Sequence, residues 1–206
     1  KNNKNLDKRT TAISESNYQY IKKYINFNNQ NFFWPCKKID LFFEDKEKII
    51  NFLNFEEKNK NLMYIFQNKD LKKKLDKIIS KTNNIKMIKK NIEDINNEEG
   101  YIKSSKKKIF YDLIILCIGG SSKLYSTIEK SRSIKKNYKE FAITAIIKHN
   151  ANIKSASQFF LKEGPLAILP YQKKIFSTVW SVSSEFFYLH KKNIKKILAE
   201  KLKALL

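Results

Sequence analysis

The spacing of apolar residues predicts short strands and helices in the first half of the chain. Apolar and polar residues alternate within residues 36–44, and this pattern predicts a half-buried strand. Residues 49–55 are predicted as a second strand. Residues 71–79 carry apolar side chains three and four apart and predict an amphipathic helix. Short strands are predicted at 85–88 and 101–103, and the second of these leads into a hairpin.

Two further patterns precede these strands. Residues 13–25 place several apolar side chains on one helical face, so a helix is predicted there. Phe32, Phe33, Trp34 and Pro35 predict an aromatic loop, because a proline disfavours helical geometry in the residue before it.

The stretch Tyr111 to Tyr125, YDLIILCIGGSSKLY, is expected to be the structural centre of the chain. Leu113 to Ile118 is a continuous apolar run, which is typical of a strand buried in a parallel sheet. Cys117 is expected to lie buried there as an inert small hydrophobe. Gly119 and Gly120 follow at the carboxyl end, where an open α/β sheet brings its backbone close to a ligand.

The second half of the chain predicts an antiparallel sheet. Apolar strands at 141–148, 157–161, 166–169 and 175–182 follow one another without helices between them. Pro170 is expected to end the third of these strands, and Trp180 is expected in the core.

Residues 190–206 have helical spacing, with apolar residues on one face and lysines on the other. This helix is expected either to lie on a membrane surface or to pack on a C-terminal part that is not in the sequence. The first residue is Lys and the last residues stop inside a helical pattern, so we expect a fragment of a longer protein.

The net charge of +22 first favours a nucleic-acid-binding protein. However, only Arg9 and Arg132 are arginines among the 42 basic residues, and arginine is the residue that recognises phosphates and bases in pairs of hydrogen bonds. The many Lys, Asn and Ile residues favour compositional drift in an AT-rich genome over a dedicated nucleic-acid surface. A basic surface still favours contact with anionic lipid headgroups. No apolar run approaches the roughly 20 residues of a membrane span, and the histidines and cysteines lack metal-ligand spacing, so no metal site is expected.

Four stretches, taken in order, resemble the flavoprotein aromatic hydroxylases of the para-hydroxybenzoate hydroxylase type, and most closely their UbiH-like branch in ubiquinone biosynthesis. Residues 7–14, DKRTTAIS, resemble the D-x-R-x-x-A-L-S segment of that family, and residues 64–71, YIFQNKDL, resemble its strand-to-helix junction. Residues 111–125 lie where the family has its Asp-Gly fingerprint. Residues 158–170, QFFLKEGPLAILP, with the later Val-Trp-Ser, resemble its R-F-L-P-x-G-P-L-A-L-L-P…V-W segment, which is the most specific match.

The resemblance implies a mixed α/β or α+β fold, with part of a Rossmann-like FAD-binding half and an antiparallel or mixed sheet that faces the substrate. It implies an FAD-binding part over 1–130 with a strand insertion at about 32–60, a substrate-domain sheet over 131–190, and the start of a C-terminal helical segment over 191–206. The implied activity is an oxidoreductase, a monooxygenase that uses FAD, NAD(P)H and O2 to hydroxylate a prenylated phenol. The implied location is cytoplasmic, with peripheral contact to the inner membrane or to a quinone-biosynthesis complex.

The resemblance also implies site residues. Arg9 falls at the family position where an arginine reaches the FAD phosphates. Gln67 falls where an amide of the family contacts the flavin side of the cofactor. Gly119 and Gly120 fall at the Asp-Gly fingerprint. The residues implied near the substrate are Phe159, Leu161, Gly164, Pro165 and Leu166. No catalytic side chain is assigned, because the reactive atoms belong to the cofactor.

Two departures from the family pattern leave alternatives open. Ile118 stands where the family has its Asp, and Tyr125 stands where it has an Arg. The first alternative is therefore a catalytically weakened relative that acts as a scaffold in a quinone-biosynthesis complex. The second alternative is a basic nucleic-acid-binding module. The G-x-G-x-x-G turn that would hold the FAD pyrophosphate is not in these residues, so we expect this chain alone to hold FAD only weakly.

Overall fold

The computed structural model describes residues 9–27, 32–46, 48–119, 124 and 136–206. Gly120, Tyr125 and the beginning of the segment that resembles the family at 7–14 lie outside the described residues. The chain divides into two compact units. The first consists of Lys1–Ile78 together with Lys139–Leu206, and the second of Ile79–Tyr138.

The helices and strands of the described residues are numbered in chain order. They are β1 (Thr10–Ser14), α1 (Glu15–Tyr24), β2 (Trp34–Cys36), β3 (Lys38–Asp45), β4 (Lys48–Glu56), β5 (Met63–Gln67), α2 (Asn68–Ile79), β6 (Asp94–Asn96), β7 (Tyr101–Ser104), β8 (Lys107–Phe110), β9 (Glu140–Lys148), β10 (Ala156–Leu161), β11 (Gly164–Gln172), β12 (Ile175–Ser183), α3 (Ser184–His190) and α4 (Ile194–Leu205).

A small antiparallel sheet lies in the first unit, with strand order β1-β5-β2. The chain passes directly from β1 into α1, where the Ser14 hydroxyl accepts a hydrogen bond from the Asn17 N–H at 3.3 Å and caps the helix. Tyr18 on α1 stacks on Tyr64 of β5 with ring centroids 3.7 Å apart. Aromatic packing therefore holds the helix against the small sheet.

A larger mixed sheet completes the first unit, with strand order β4-β3-β10-β11-β12-β9. β3 and β10 pair in parallel, while the other neighbours are antiparallel. The predicted antiparallel sheet over β9 to β12 is confirmed. The combination of helices with mixed and antiparallel sheets also confirms the predicted α+β class.

The main hydrophobic core lies between one face of this sheet and the C-terminal helices. Leu166 and Trp180 are fully buried, and Leu198 and Leu202 of α4 pack against them. The predicted C-terminal helix is confirmed, but both expectations for its apolar face were wrong. The face packs on the sheet of the same chain, where Leu198 and Leu202 join the core formed by residues such as Leu166 and Trp180.

The second unit contains an antiparallel sheet of β6, β7 and β8. Ser105 and Lys106 join β7 to β8 with positive φ angles of 51° and 64°. Two consecutive left-handed residues form a turn whose twist matches that of the flanking strands. The predicted hairpin is therefore confirmed.

The prediction of a buried parallel strand at Leu113 to Ile118 was wrong. These residues have no helix or strand, and Leu113 and Ile115 are 76% and 77% exposed. Cys117 is also exposed, against the expectation that it lies buried. The apolar run lacks a neighbouring strand among the described residues, and a strand forms only where another backbone satisfies its N–H and C=O groups.

Three smaller predictions were also wrong. Residues 85–88 form no strand and are exposed. Pro170 does not end β11, which continues to Gln172 through a shift in register, and such an irregularity accommodates a residue without an N–H. The aromatic loop is partly a strand, because Trp34–Cys36 forms β2, an edge strand where Pro35 is tolerated.

The domain boundaries implied by the resemblance remain a prediction. The structure pairs β3 and β4, from the predicted insertion, with β9 to β12 in one sheet. Among the described residues, no helix is both long enough and apolar enough to span a membrane.

We predict that Leu202→Ala lowers the free energy of unfolding by about 3 kcal/mol, since it removes buried methyl groups and leaves a cavity under the sheet. Urea unfolding followed by tryptophan fluorescence measures the change. The matched control is Leu189→Ala, because Leu189 is 79% exposed and should cost less than about 0.5 kcal/mol. Equal losses in both variants would show that α4 does not pack on the core.

Candidate functional site

The start of β1 and the end of β5 bring two of the predicted cofactor residues together. Thr10 is the register partner of Gln67 in the small sheet. One residue further out on each strand, the Asn68 N–H donates a hydrogen bond to the Arg9 carbonyl at 3.0 Å. Arg9 and Gln67, which were assigned from separate segments of the sequence, therefore lie at the same corner of this sheet.

Gln67 connects this corner to the large sheet. Its side chain is buried, and its Nε2 donates a hydrogen bond to the Tyr171 hydroxyl at 2.9 Å, across 104 residues of sequence. Tyr171 lies in β11, and its neighbours in a second small core include Cys36 and Ile65. A single buried polar contact thus fixes the amide of Gln67 relative to both sheets.

Tyr171 has an environment that favours its neutral form. Burial raises the pKa of its hydroxyl, and the charge of Asp70 raises the pKa further, while the hydrogen bond from Gln67 acts in the opposite direction. Tyr171 therefore stays protonated at neutral pH and acts as a hydrogen-bonding group.

The amino terminus of α2 begins at this corner. Asn68 is its first residue, and its Oδ1 accepts a hydrogen bond from the Thr11 hydroxyl. Unpaired backbone N–H groups at a helix start attract negative charge. Asp70 in the first turn already supplies one carboxylate there.

Thr10 adds a polar atom that the sequence did not reveal as part of a site. Its hydroxyl is buried and has no hydrogen-bond partner among the described residues. Buried hydroxyls are nearly always paired in folded proteins, so the unpaired hydroxyl of Thr10 is an unusual feature of this corner. Neither Thr10 nor Tyr171 stood out in the sequence, because their importance arises from pairing with distant residues.

Gly119 lies in the second unit and has a φ of +68°. That left-handed conformation favours glycine, which fits the glycine of the family fingerprint. A Cβ at this position would meet no atom within 4 Å among the described residues, so the backbone there is open. The role of Gly119 in cofactor binding stays a prediction.

The structure packs three of the predicted substrate residues into the hydrophobic core. Phe159, Leu161 and Leu166 are buried in the core under α4. Phe159 stacks on Phe42 with ring centroids 4.7 Å apart. Their predicted contact with substrate is not tested by this packing and stays a prediction.

The remaining two substrate residues lie at the β10–β11 turn. Pro165 is exposed, and Gly164 has a φ of +129°. A Cβ on Gly164 would lie 2.0 Å from the Ser181 carbonyl oxygen, so only glycine fits there. This glycine is thus required for the close approach of β11 to β12.

The opposite face of the large sheet is covered by the second small core at Leu169 and is only partly exposed at the other positions described below. Strand alternation places Gln158, Phe160, Ala167 and Val179 on this face, and Phe160 is 43% exposed. The sequence pattern could have identified these residues, since each is the direct neighbour of a core position.

The described residues contain no group of three or more His, Cys, Asp or Glu side chains that could hold a metal ion. No family model and no curated protein matches the chain. The resemblance to the flavoprotein hydroxylases therefore stays a prediction from the motifs.

We predict that Tyr171→Phe lowers the free energy of unfolding by about 1–3 kcal/mol at neutral pH, because the Gln67 amide is left buried without its acceptor. The raised pKa means that the folded state keeps a proton that the unfolded state releases. The contribution of Tyr171 to the free energy of unfolding is therefore complete below about pH 10. It declines as the pH rises toward the pKa that Tyr171 has in the folded state.

Urea unfolding of both proteins at several pH values checks this prediction. The difference in stability between the native chain and Tyr171→Phe should narrow above about pH 10. Tyr20→Phe is the matched control, since Tyr20 is 61% exposed. A difference that does not change with pH would contradict a buried, neutral Tyr171.

We also predict that Gly164→Ala lowers the free energy of unfolding by about 3 kcal/mol or more, because a methyl group would collide with the Ser181 carbonyl. Gly119→Ala should lower the free energy of unfolding by only about 1 kcal/mol. The new side chain would be strained by the left-handed backbone of residue 119, but it would meet no neighbouring atom. Thermal unfolding followed by circular dichroism compares the two. A cost for Gly164→Ala no larger than that for Gly119→Ala would be inconsistent with the close contact.

Proposed function

We propose that the chain belongs to an FAD-dependent monooxygenase that hydroxylates the aromatic ring of a prenylated phenol in ubiquinone biosynthesis, with NAD(P)H and O2. The observation that supports this proposal is the pairing of Thr10 with Gln67. It brings the two segments with the family's cofactor motifs to one corner, although 57 residues separate them in sequence.

The groups at this corner fit a dinucleotide cofactor. The guanidinium of Arg9 suits phosphate oxygens through paired, charge-assisted hydrogen bonds. The amide of Gln67 can bond ribityl hydroxyls, and its orientation is fixed by Tyr171. Arg9 and Gln67 would hold the cofactor, and α2 would direct its positive end toward the phosphates.

When bound, FAD supplies the redox and oxygen chemistry of the reaction. The chain itself would orient the ring and exclude water. The outer face of the large sheet suits this role, because Phe160 and Val179 present apolar surface of the kind that binds a prenylated ring. Phe159, Leu161 and Leu166 lie on the core face of the same sheet, and their packing would hold its strands in place.

One alternative function has specific support. Ile118 cannot make the hydrogen bonds of the carboxylate that the family has before Gly119, and the family's arginine is replaced by Tyr125. These replacements favour a relative with weakened catalysis that acts as a scaffold in a quinone-biosynthesis complex. The visible absorbance of the purified full-length protein separates the two functions, since a colourless protein would favour the scaffold.

We predict that the chain binds FAD weakly and that Arg9→Ala weakens the binding about tenfold, through loss of the paired phosphate contacts. Arg9→Lys should have an intermediate affinity, because it keeps the charge without the planar fork. Quenching of flavin fluorescence measures the dissociation constants.

Arg132→Ala serves as the matched control, because Arg132 is the other arginine of the chain and should leave the affinity unchanged. Gln67→Ala should also weaken binding. The proposed site is wrong if FAD does not bind at millimolar concentration, or if it binds equally well to the Arg9 and Gln67 variants. Tight stoichiometric binding would overturn the expectation of weak affinity.

A further inference from the structure

Strand β9 is at the end of the large sheet opposite to β4 and is paired on one side only. Among the described residues its only partner is β12, and the nine register pairs between them follow one another without a bulge. Every second residue of β9 therefore directs its N–H and C=O groups away from β12, where they form a template for another strand. Natural edge strands are usually protected by a charge, a proline or a bulge, but residues 141–147 contain no charge and no proline.

The main hydrophobic core is covered at β12 but remains open at β9. Trp180 and Phe176 of β12 are completely buried. Their direct partners on β9, Ile143 and Ile147, pack against the same core but are only half-buried. The sheet thus ends before the apolar side chains of β9 are covered, which indicates an interaction surface at this edge.

The charged residues at the two ends of β9 are complementary to a second, antiparallel copy of the strand. Glu140 and Lys148 lie four residues before and four residues after Thr144, and the regular alternation places all three on the face opposite the core. A two-fold axis at Thr144 therefore sets Glu140 of each copy opposite Lys148 of the other. Neither charged side chain has an ion-pair partner among the described residues of its own copy. Moving the axis by one residue in either direction separates the opposite charges, so this register is favoured.

The uncharged residues of β9 also fit a second copy in this register. On the core face, Phe141 lies opposite Ile147, and an aromatic ring beside a β-branched side chain is a favourable cross-strand pair. Ile143 lies opposite Ala145, so a large side chain meets a small one. On the other face Thr144 meets its own copy, and paired threonines stabilise antiparallel strands. The axis repeats every pair except the central one, so each favourable contact occurs twice.

Helix α3 extends the apolar surface beside this edge. Phe187 stacks on Phe141 with ring centroids 4.3 Å apart, and Tyr188 meets Phe141 edge-on at 5.4 Å. Tyr188 is nevertheless 64% exposed. A strand that pairs with β9 would place its own side chains close to this ring, and large aromatic side chains are typical of the residues that dominate binding at interfaces.

We propose that two copies of this chain associate through antiparallel pairing of their β9 strands, with Thr144 on the two-fold axis. The axis is perpendicular to the sheet, so the two large sheets join into one continuous sheet with both cores on the same side. Pairing covers the half-buried apolar residues of β9. Glu140 and Lys148 set the register, and closed two-fold symmetry limits the assembly to a dimer. This association goes beyond the proposed function and is tested without FAD.

Sedimentation of the native chain at about 0.15 M salt tests the association, because this ionic strength screens the repulsion between two highly basic copies. We expect a monomer–dimer equilibrium in the micromolar range. Thr144→Lys should weaken dimerisation roughly tenfold or more, since two ammonium groups would meet on the axis. Asn51→Lys, at an exposed polar position of the opposite edge strand β4, should leave it unchanged. Circular dichroism verifies that each variant is folded.

The opposite charge at the same residue tests the position of the axis. Thr144→Glu lowers the net charge of the chain and would strengthen association if only overall repulsion mattered. A carboxylate on the axis meets its own copy, so we expect Thr144→Glu to weaken the homodimer as Thr144→Lys does. An equimolar mixture of these two variants should form a heterodimer, because a lysine then faces a glutamate. A mixture that remains monomeric would overturn the proposed axis.

A charge exchange tests the register. Glu140→Lys alone and Lys148→Glu alone each create two like-charge contacts and should weaken the dimer roughly tenfold. The double variant Glu140→Lys with Lys148→Glu restores opposite charges and should return the dissociation constant to within about threefold of the native value. Failure of the double variant to recover would overturn the proposed register.

Cross-linking tests the contact directly. In a Cys117→Ser background, Thr144→Cys should form an intermolecular disulfide on mild oxidation, because the two copies of residue 144 face each other across the axis. Cys36 is buried and does not compete. Glu140→Cys should not form a disulfide, because its two copies would be about 27 Å apart along the paired strands. A native chain that sediments as a monomer up to high micromolar concentration, or a dimer that is insensitive to Thr144→Lys, would overturn the proposal.

Discussion

The parallel pairing of β10 with β3 is the contact on which the first unit depends. It joins the β3–β4 hairpin to the strands β9 to β12, and the two groups would otherwise be separate small sheets. Side chains reinforce the pairing from one face. The Ser155 hydroxyl donates to the Asp40 carboxylate at 2.8 Å, and Phe42 stacks on Phe159. The first contact links residues 115 apart in sequence, so its formation orders a large part of the chain.

The candidate site depends indirectly on the same pairing of β3 with β10. Tyr171 has its place because β11 is held next to β10, and Gln67 has its orientation because Tyr171 accepts its hydrogen bond. A buried hydrogen bond of this kind holds the Gln67 amide in one orientation, and a group that is already oriented loses less entropy when it binds. The small sheet contributes Arg9 and Gln67, and the large sheet, through Tyr171, orients the Gln67 amide.

Local patterns predicted most of the elements that the structure contains. The alternation in β3 and in β9 to β12 and the helical spacing in α2 and α4 are periodic signals that depend only on near neighbours. The prediction of a strand at Leu113 to Ile118 was wrong, because a buried strand needs partner strands and no local pattern specifies them. Motif spacing identified Arg9 and Gln67 separately, but their adjacency follows from strand register.

The same limit explains what was missed at the site. Tyr171 and Thr10 acquire their significance from residues far away in sequence, so composition and periodicity could not mark them. Gly164 shows a related case. The motif around Gly164 was recognised in the sequence. The reason that only glycine fits there is the nearby Ser181 carbonyl, which is visible only in the folded sheet.

The topology of the first unit also sets the order of events during synthesis. The chain leaves this unit after Ile78 and returns at Lys139, so β3 is made long before its partner β10. At ~5–20 residues per second, a separation of 115 residues corresponds to a delay of roughly 6–23 s on the ribosome. During that interval the apolar hairpin β3–β4 has emerged without the strand that covers its inner edge. The first unit therefore completes its large sheet only after the second unit has been made.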